Sequence, residues 1–556
     1  MRRVTACAIA AAILSLSAGS AQASPQCPPA APAPPTPPQP EAPVIAEVHI
    51  EGASVYTADE LERRYGLLPG VRLKETPEEI AAEIRRRYTS DGYTFAEVSA
   101  TLDESRVLTV RIDEGAIDEI QFHGVDRDVG ERLREDFAVR PGDVFNRPQA
   151  MRALDEALEV GQGAIERPRS QDVFDLIRDN GKRVLDVNLR TRGSRSGVFL
   201  GTQGREDWYS PVDGFNPAIG FQSTLFDPRR FNHTYWAGYV SYKFAPERTG
   251  YSFGLERPFF RDGVLQVGGS LQDMSASDDR WRLTDVEQSL VAVGFRNTFR
   301  DYYRRKGYQL HAAVRPLANH EWLVAWRSEE QLSLANETNY GFFRDDRLFR
   351  TNASIQEGSL DAVILGYTFD SRGLHREQPG ERFRRHMLDS LFGSVADRDH
   401  GARVEWASEL APASIGRDFD FTRHVLSARA WIETSPSRLV SGRMIAGVSS
   451  GVLPLQRIFG VGGIGTVHGY SFKEALGERM LLLNGEFRQR FGRSGIGGIA
   501  FIDAGRVYEP VAGSTTDWLT GVGVGLEGGG LRLELGWRLH DIPSSLQILF
   551  RLGPTF

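Results

Sequence analysis

The 556-residue chain has only two cysteines, and Cys7 falls inside a leader-like N-terminus. Cys27 is then the sole thiol of the exported chain, which excludes an intrachain disulfide. Ser24-Pro25-Gln26 ahead of it is a poor lipidation signal, so a lipid anchor is not expected. After the leader there is no run of 18 consecutive apolar residues, which excludes a spanning helix. Basic residues are not in excess. The net charge is −7, and nucleic acid is not expected as a partner. Also missing are H-E-x-x-H, G-x-S-x-G, C-x-x-C and any paired His/Cys metal spacing, so no enzyme activity, cofactor or metal is expected. A hydrolase with residues scattered over strands would leave no motif, but nothing positive supports one. Two G-x-G-x-x-G runs begin at Gly460 and Gly523. Neither opens an amphipathic helix in a βαβ unit, and 58 glycines produce such matches freely.

Arg2 and Arg3 precede an apolar run from Val4 to Leu16, and Ala21-Gln22-Ala23 supplies a small-x-small site. This predicts a signal peptide over 1–23; the run is short for an uncleaved anchor. Residues 24–43 then carry ten prolines, a density that favours polyproline II and a semi-rigid tether over a packed core. The mean hydropathy of −0.33 resembles that of a soluble protein. Transmembrane barrels share that average, because lipid-facing apolar residues alternate with polar lumenal ones.

From Val44 a compact unit begins. Val48 and Ile50 alternate with polar residues before Gly52, a short strand. Thr57 with Glu60, and Thr76-Pro77 with Glu79, are two capping signatures. Ile80, Ile84 and Tyr88 form one apolar stripe before Asp91-Gly92 ends the second helix. Two alternating strands follow, giving β-α-α-β-β over 44–115. The unit recurs over 116–193. Glu47 to Gly52 returns as Glu119 to Gly124, and Pro69-Gly70 as Pro141-Gly142, both offset by 72 (124 − 52; 142 − 70). Asp128 and Glu131 are read as capping the first helix of the copy, and Met151, Leu154 and Leu158 as the stripe of its second. Asp179-Asn180-Gly181 turns into its last strand.

Over 194–556 helix signatures nearly vanish. Leu531, Leu533, Leu535 and Trp537 alternate with Arg532, Glu534, Gly536 and Arg538, and Ile548, Phe550 and Leu552 continue the pattern. One apolar face and one face bearing arginine predicts a transmembrane β-barrel, with room for about 16 antiparallel strands. A soluble sandwich also alternates, but the leader and the long series of strands favour the barrel. Phe556, in phase with the lipid face, is read as an assembly signal.

Gly92-Tyr93 opening a strand, and the run from Val107 to Asp113-Glu114-Gly115, resemble POTRA domains, the polypeptide-transport-associated repeats. In the barrel, Val467-His468-Gly469-Tyr470 follows a glycine-rich stretch, in a region around 455–478. It resembles the V-R-G-Y/F lumenal-loop motif shared by the BamA/TamA assembly proteins and the TpsB two-partner secretion transporters. Phe501-Ile502-Asp503-Ala504-Gly505 is similar to the F-x-D-x-G strand motif of that superfamily. Asp370-Ser371-Arg372 with Pro379-Gly380 resembles a D-T/S-R element of the assembly branch, as does Asn484-x-Glu486-x-Arg488.

The resemblance implies a lumenal loop whose basic residue meets Asp503 inside the barrel. Here that residue is His468 instead of arginine, so a constitutive ion pair does not follow. It also implies an outer-membrane protein with periplasmic N-terminal repeats that recognise extended clients by β-augmentation. Three functions are compatible. The first is translocation of unfolded polypeptides, such as a secreted exoprotein, across the outer membrane. The second is insertion of nascent outer-membrane proteins. The third, a structural or solute pore, would not need the arm. Expected partners are those clients, membrane lipids, and the barrel assembly machinery that inserts this chain.

Overall fold

The computed structural model describes residues 43–159, 164–168, 172–260, 263–343, 346–374, 377–392, 400–492 and 495–552. The expected signal peptide, nearly all of the proline-rich tether and Phe556 lie outside the described residues. Two compact units are resolved by their internal contacts, one of residues 43–84 and 98–112, the other of the remaining described residues.

Repeat one runs β1 (Glu47–Glu51), α1 (Ala58–Tyr65), α2 (Pro77–Ser90), β2 (Glu97–Leu102) and β3 (Val107–Asp113). The capping signatures set the helix starts. Thr57 Oγ1 accepts from the Glu60 amide at 3.3 Å. Thr76 and Glu79 satisfy each other's amides, at 2.8 and 3.3 Å. Central β3 lies parallel to β1, with β2 on its other side. Leu61, Ile80, Ile84, Leu108 and Val110 are buried, so the stripes read in the sequence do face inward.

Repeat two runs β4 (Glu119–His123), α3 (Arg127–Asp136), α4 (Arg147–Glu159), β5 (Ile165–Glu166), β6 (Phe174–Asp179), β7 (Lys182–Asn188) and β8 (Arg190–Thr191). Its sheet order, β4-β7-β6, copies the first. Asn180 and Gly181 both take positive φ, as a tight hairpin between β6 and β7 requires. The cap of α3 differs from the sequence reading. Asp126, not Asp128, is the N-cap residue, and its side chain makes no capping bond. Arg229 Nε takes that carboxylate instead, at 2.6 Å, while Glu131 pairs with Arg127 one turn away.

The barrel strands are β9 (Ser194–Leu200), β12 (Ala218–Asp227), β13 (Asn232–Lys243), β14 (Arg248–Phe259), β15 (Leu265–Ala276), β16 (Tyr303–Leu317) and β17 (His320–Ser333). They continue as β18 (Gly358–Asp370), β19 (Gly401–Ala411), β20 (Asp420–Ser435), β21 (Arg438–Val452), β22 (Phe459–Val461) and β23 (Ala475–Arg490). β24 (Ile496–Pro510), β25 (Leu519–Gly528), β26 (Leu531–Arg538) and β27 (Gln547–Leu552) complete the ring, which β9 closes. A separate small pair, β10 (Tyr209–Ser210) and β11 (Gly214–Phe215), lies in the first connection. Short β22 and long β21 share the partner β23 at different heights, so they occupy one position in the ring. Sixteen strand positions therefore go round among the described residues.

The ring is apolar outside, while inside it buries many charged side chains beside an apolar cluster that includes Trp281, Leu323, Ile364, Phe421 and Phe459. On β26, Leu531 is exposed while Arg532 and Glu534 are buried, and Phe550 on β27 is 75% exposed beside buried Arg551. Lipid takes the apolar face, which is why the alternation appears with its usual sense reversed.

Antiparallel pairing sends successive connections to opposite ends of the barrel. The arm-side end is marked by residues 228–231, where Phe231 joins the apolar core of repeat two. Two connections hold helices that the sequence reading missed. α5 (Asp285–Phe295) begins at a full capping box of Thr284 and Glu287 in a far-end connection. α6 (Pro379–His386), with proline in its first turn, lies in the arm-side connection between β18 and β19. Described residues 377–392 of that connection rise inside the ring. Phe383 packs on Tyr235, Gln309 Nε2 donates to the His386 carbonyl at 2.8 Å, and Phe392 stacks on Trp281 of a far-end connection at 4.7 Å.

Candidate functional site

The glycine-rich stretch between β22 and β23 is a far-end connection that turns down into the lumen. Thr466 Oγ1 closes its first turn, accepting from the Gly462 amide at 3.0 Å and donating to the Gly463 carbonyl at 2.9 Å. Gly465 and Gly469 both hold positive φ at close approaches. A side chain at Gly465 would meet the Arg282 carbonyl at 2.5 Å, and one at Gly469 the Arg538 amide nitrogen at 2.4 Å. Only glycine meets both demands.

His468, at the tip, is 1% exposed. Its Nδ1 lies 2.6 Å from Asp503 Oδ2 on β24, and its amide donates to the same oxygen at 3.3 Å. Its Nε2 faces Glu534 Oε2 on β26 at 3.3 Å. Both ring nitrogens thus meet carboxylates. Carboxylates only accept, so the ring satisfies both when it carries two protons. Burial pushes the His468 pKa down, but the charge of Asp503 and the bonds to Asp503 and Glu534 outweigh it, and the group is raised to about 9.

The seat is made by small residues on the wall. A side chain at Gly521 would come 2.7 Å from the His468 carbonyl, and one at Gly536 2.6 Å from the His468 Cβ. At Gly505 it would strike Val461 at 2.5 Å and Val467 at 3.1 Å. The Phe501 ring centre stands 4.3 Å from the imidazole. Backbone-only patches on three adjacent strands let the tip lie flat against the sheet.

A polar row anchors the carboxylate. Arg443, Asn484 and Asp503 are register neighbours across β21, β23 and β24. Asn484 Nδ2 donates to Asp503 Oδ1 at 2.6 Å and to the Thr466 carbonyl at 2.7 Å. Arg443 grips Asn484 Oδ1 at 3.0 and 2.7 Å and the Gly465 carbonyl at 2.7 Å. On the other side of the tip, Arg538 donates to the Gly469 carbonyl at 2.9 Å and covers the Tyr470 ring at 4.5 Å.

The structure therefore brings Val467, His468, Gly469, Tyr470, Phe501, Asp503 and Gly505 into one site. Asp370, Ser371 and Arg372 lie apart from it, at the arm-side end of β18, where Asp370 accepts from the Arg372 amide at 3.0 Å. Sequence reasoning missed Glu534 and Arg443 as partners of the loop. Their signal was present, since both occupy charged positions on alternating strands, but nothing linear joins them to residue 468.

Residues 43–115 match the POTRA family described as a surface antigen variable number repeat. The outer membrane protein assembly factor BamA of Nitratidesulfovibrio vulgaris is 21% identical over 489 residues, 82% of this chain. The chain spans about half (53%) of that relative's length. Among solved structures, BamA from Haemophilus ducreyi lacking POTRA domains 1–3 is 12% identical with a TM-score of 0.44, covering 91% of this chain and 98% of that one. CdiB from Escherichia coli is 14% identical with a TM-score of 0.37, covering 93% and 91%.

Proposed function

We infer the activity of this chain from its family: it belongs to the POTRA-containing outer-membrane β-barrel superfamily of the BamA/TamA assembly proteins and TpsB transporters, with its N-terminal repeats in the periplasm. Its function is to capture unfolded polypeptides on the repeats and move them across the outer membrane through the barrel. The observation that carries this reading is the join of two edge-bearing repeats to a wide ring with a charged lining. In each repeat the order leaves outer strands, such as β2 and β6, with one edge unpaired within the described residues, the geometry an extended client can extend. A lumen lined by arginine and carboxylate offers polar partners to a passing backbone. The loop tip at His468 and residues 377–392 are then movable occupants of that path, and the two site motifs hold the closed state.

The insertase reading has its own observation. The ring closes between its first and last strands, β9 and β27. A seam between the two ends of the sheet is the place at which a client strand could enter the membrane.

Two experiments separate these readings. Deleting residues 44–193 should leave an SDS-resistant, heat-modifiable barrel that no longer handles clients; unchanged client handling would remove the role given to the repeats. A disulfide locking β9 to β27 should leave export intact under translocation and stop it under lateral insertion.

A further inference from the structure

We propose that Glu256, His311 and His386 form a binding site for a divalent transition-metal cation of the zinc class, and that the bound cation staples α6 to the barrel wall. The three residues come from two wall strands and from the inserted helix. Glu256 stands on β14, His311 on β16, and His386 is the last residue of α6. All three side chains are fully buried, and one ligand atom from each lies within 4.8 Å of the others.

Their convergence is what a cation needs. His311 Nε2 is 3.2 Å from Glu256 Oε2, and His386 Nδ1 contacts the same oxygen. Two imidazole nitrogens thus face one carboxylate oxygen. Ligand atoms placed 2.0–2.1 Å from a tetrahedral zinc sit about 3.3 Å apart. His311 already has that spacing, and His386 reaches it by a small retreat.

The surroundings hold each ligand in place. His386 Nε2 meets Glu321 Oε1 at 2.8 Å. A carboxylate behind a histidine fixes the proton on the far nitrogen and leaves the near one free to ligate. Arg382 Nε occupies the other oxygen of Glu256 at 3.0 Å, leaving Oε2 for the cation. The His311 ring lies on bare backbone, since a side chain at Gly268 would strike its Cε1 at 2.6 Å. Its Nδ1 is buried with no hydrogen-bond partner in the structure, so the ring is held by packing with Nε2 aimed inward. Arg315 and Arg385 balance Glu321, Arg385 also pairs with Glu377, and His233 sits beside Arg382. Two nitrogens and one oxygen suit zinc, cobalt or nickel, whereas calcium and magnesium require oxygen donors.

The test uses the full chain, folded in detergent and stripped by a chelator, titrated with Co²⁺ and Zn²⁺. One equivalent of Co²⁺ should bind and give the visible absorption of a cobalt ion with nitrogen ligands. His311→Ala and His386→Ala should each weaken binding by tenfold or more. Glu321→Gln should weaken it by about 10–100-fold, the usual effect of losing the carboxylate behind a ligand. His424→Ala, whose ring instead meets Ser408, should bind as the unaltered chain does. Zn²⁺ should also raise the temperature at which the SDS-resistant form is lost, in the unaltered chain and not in His311→Ala. Absence of stoichiometric binding by the folded, unaltered chain overturns the site. So does equal binding by His311→Ala; neither outcome depends on whether His386→Ala folds.

Discussion

The repeats and the barrel are built on the same alternation, but only the barrel's interior is rich in buried charge. In repeat two, Val129, Leu133, Leu185 and Val187 make an apolar core and charged side chains face water. Each such burial contributes about 1.5–3 kcal/mol by removing apolar surface from water. In the barrel, Lys243, Glu256, Arg300 and Glu534 are as deeply buried, next to an apolar cluster around Phe421, Ile445 and Phe459, while a second set of apolar side chains faces lipid. Placing charges inside costs desolvation that pairing only offsets. The lumenal networks therefore specify which loop sits where, while the closed strand ladder and the lipid face hold the ring. Burial alone does not say what stabilises a region; the medium on the other face does.

This contrast can be broken most severely in the arm. Leu133→Asp places an unpaired charge in an apolar core, costing roughly 5 kcal/mol or more. Repeat two should become protease-sensitive while the barrel still migrates as the heat-modifiable form; a barrel lost together with the repeat would show that the two do not fold apart. In the lumen, Asp503→Ala removes the shared acceptor of His468 and Asn484 and strands a buried cation, at about 3–5 kcal/mol. Cleavage within 462–474 should rise, and a loop still fully resistant would place its anchor elsewhere. Gly536→Ala pushes a methyl into the His468 seat, an overpacking worth about 1–3 kcal/mol, and should loosen the loop partially; resistance equal to that of the unaltered chain would mean the wall yields.

The smallest effect is the most specific. Because the folded pKa of His468 is raised to about 9, above its usual value near 6.5, its contribution is complete below pH 6.5. It is then lost as pH rises through about 9. Loop protection should be full below about pH 6.5, fall progressively between about 6.5 and 9, and level off above that. His468→Arg should keep protection and flatten that fall, since a guanidinium stays charged and can reach both carboxylates. His468→Ala should loosen the loop at every pH. A flat profile for the unaltered chain would show that the imidazole is held as a neutral donor.

Much of this organisation was legible in the sequence because it is local or periodic. Thr76 with Glu79 announces a helix start within four residues, and the offset of 72 repeats a whole unit. The pairing of His468 with Asp503 was legible only through resemblance, since 35 residues separate them. The rest of the seat was not legible. Gly536 and Gly521 look like ordinary strand glycines until a loop lies on them, and Glu534 looks like any lumenal charge. Asp128 misled in the opposite way. Read as the cap of α3, it lies inside the helix; Asp126 stands at the N-cap, and a distant arginine takes that carboxylate. The helices α5 and α6 were missed although Thr284-x-x-Glu287 and Gln378-Pro379 mark their starts, because a barrel pattern leads one to expect only strands.

Asp389, just beyond α6, is gripped by Arg205 Nε at 2.7 Å and paired with Arg305. Arg205 belongs to the far-end connection after β9, whereas Asp389 belongs to a connection that enters from the arm side. One carboxylate thus splices the outward-facing loops to the periplasmic-facing ones through the lumen. The two faces of the membrane are mechanically in series at this point. A tug that draws residues 377–392 toward the periplasm must either break the splice or be felt at the cell surface.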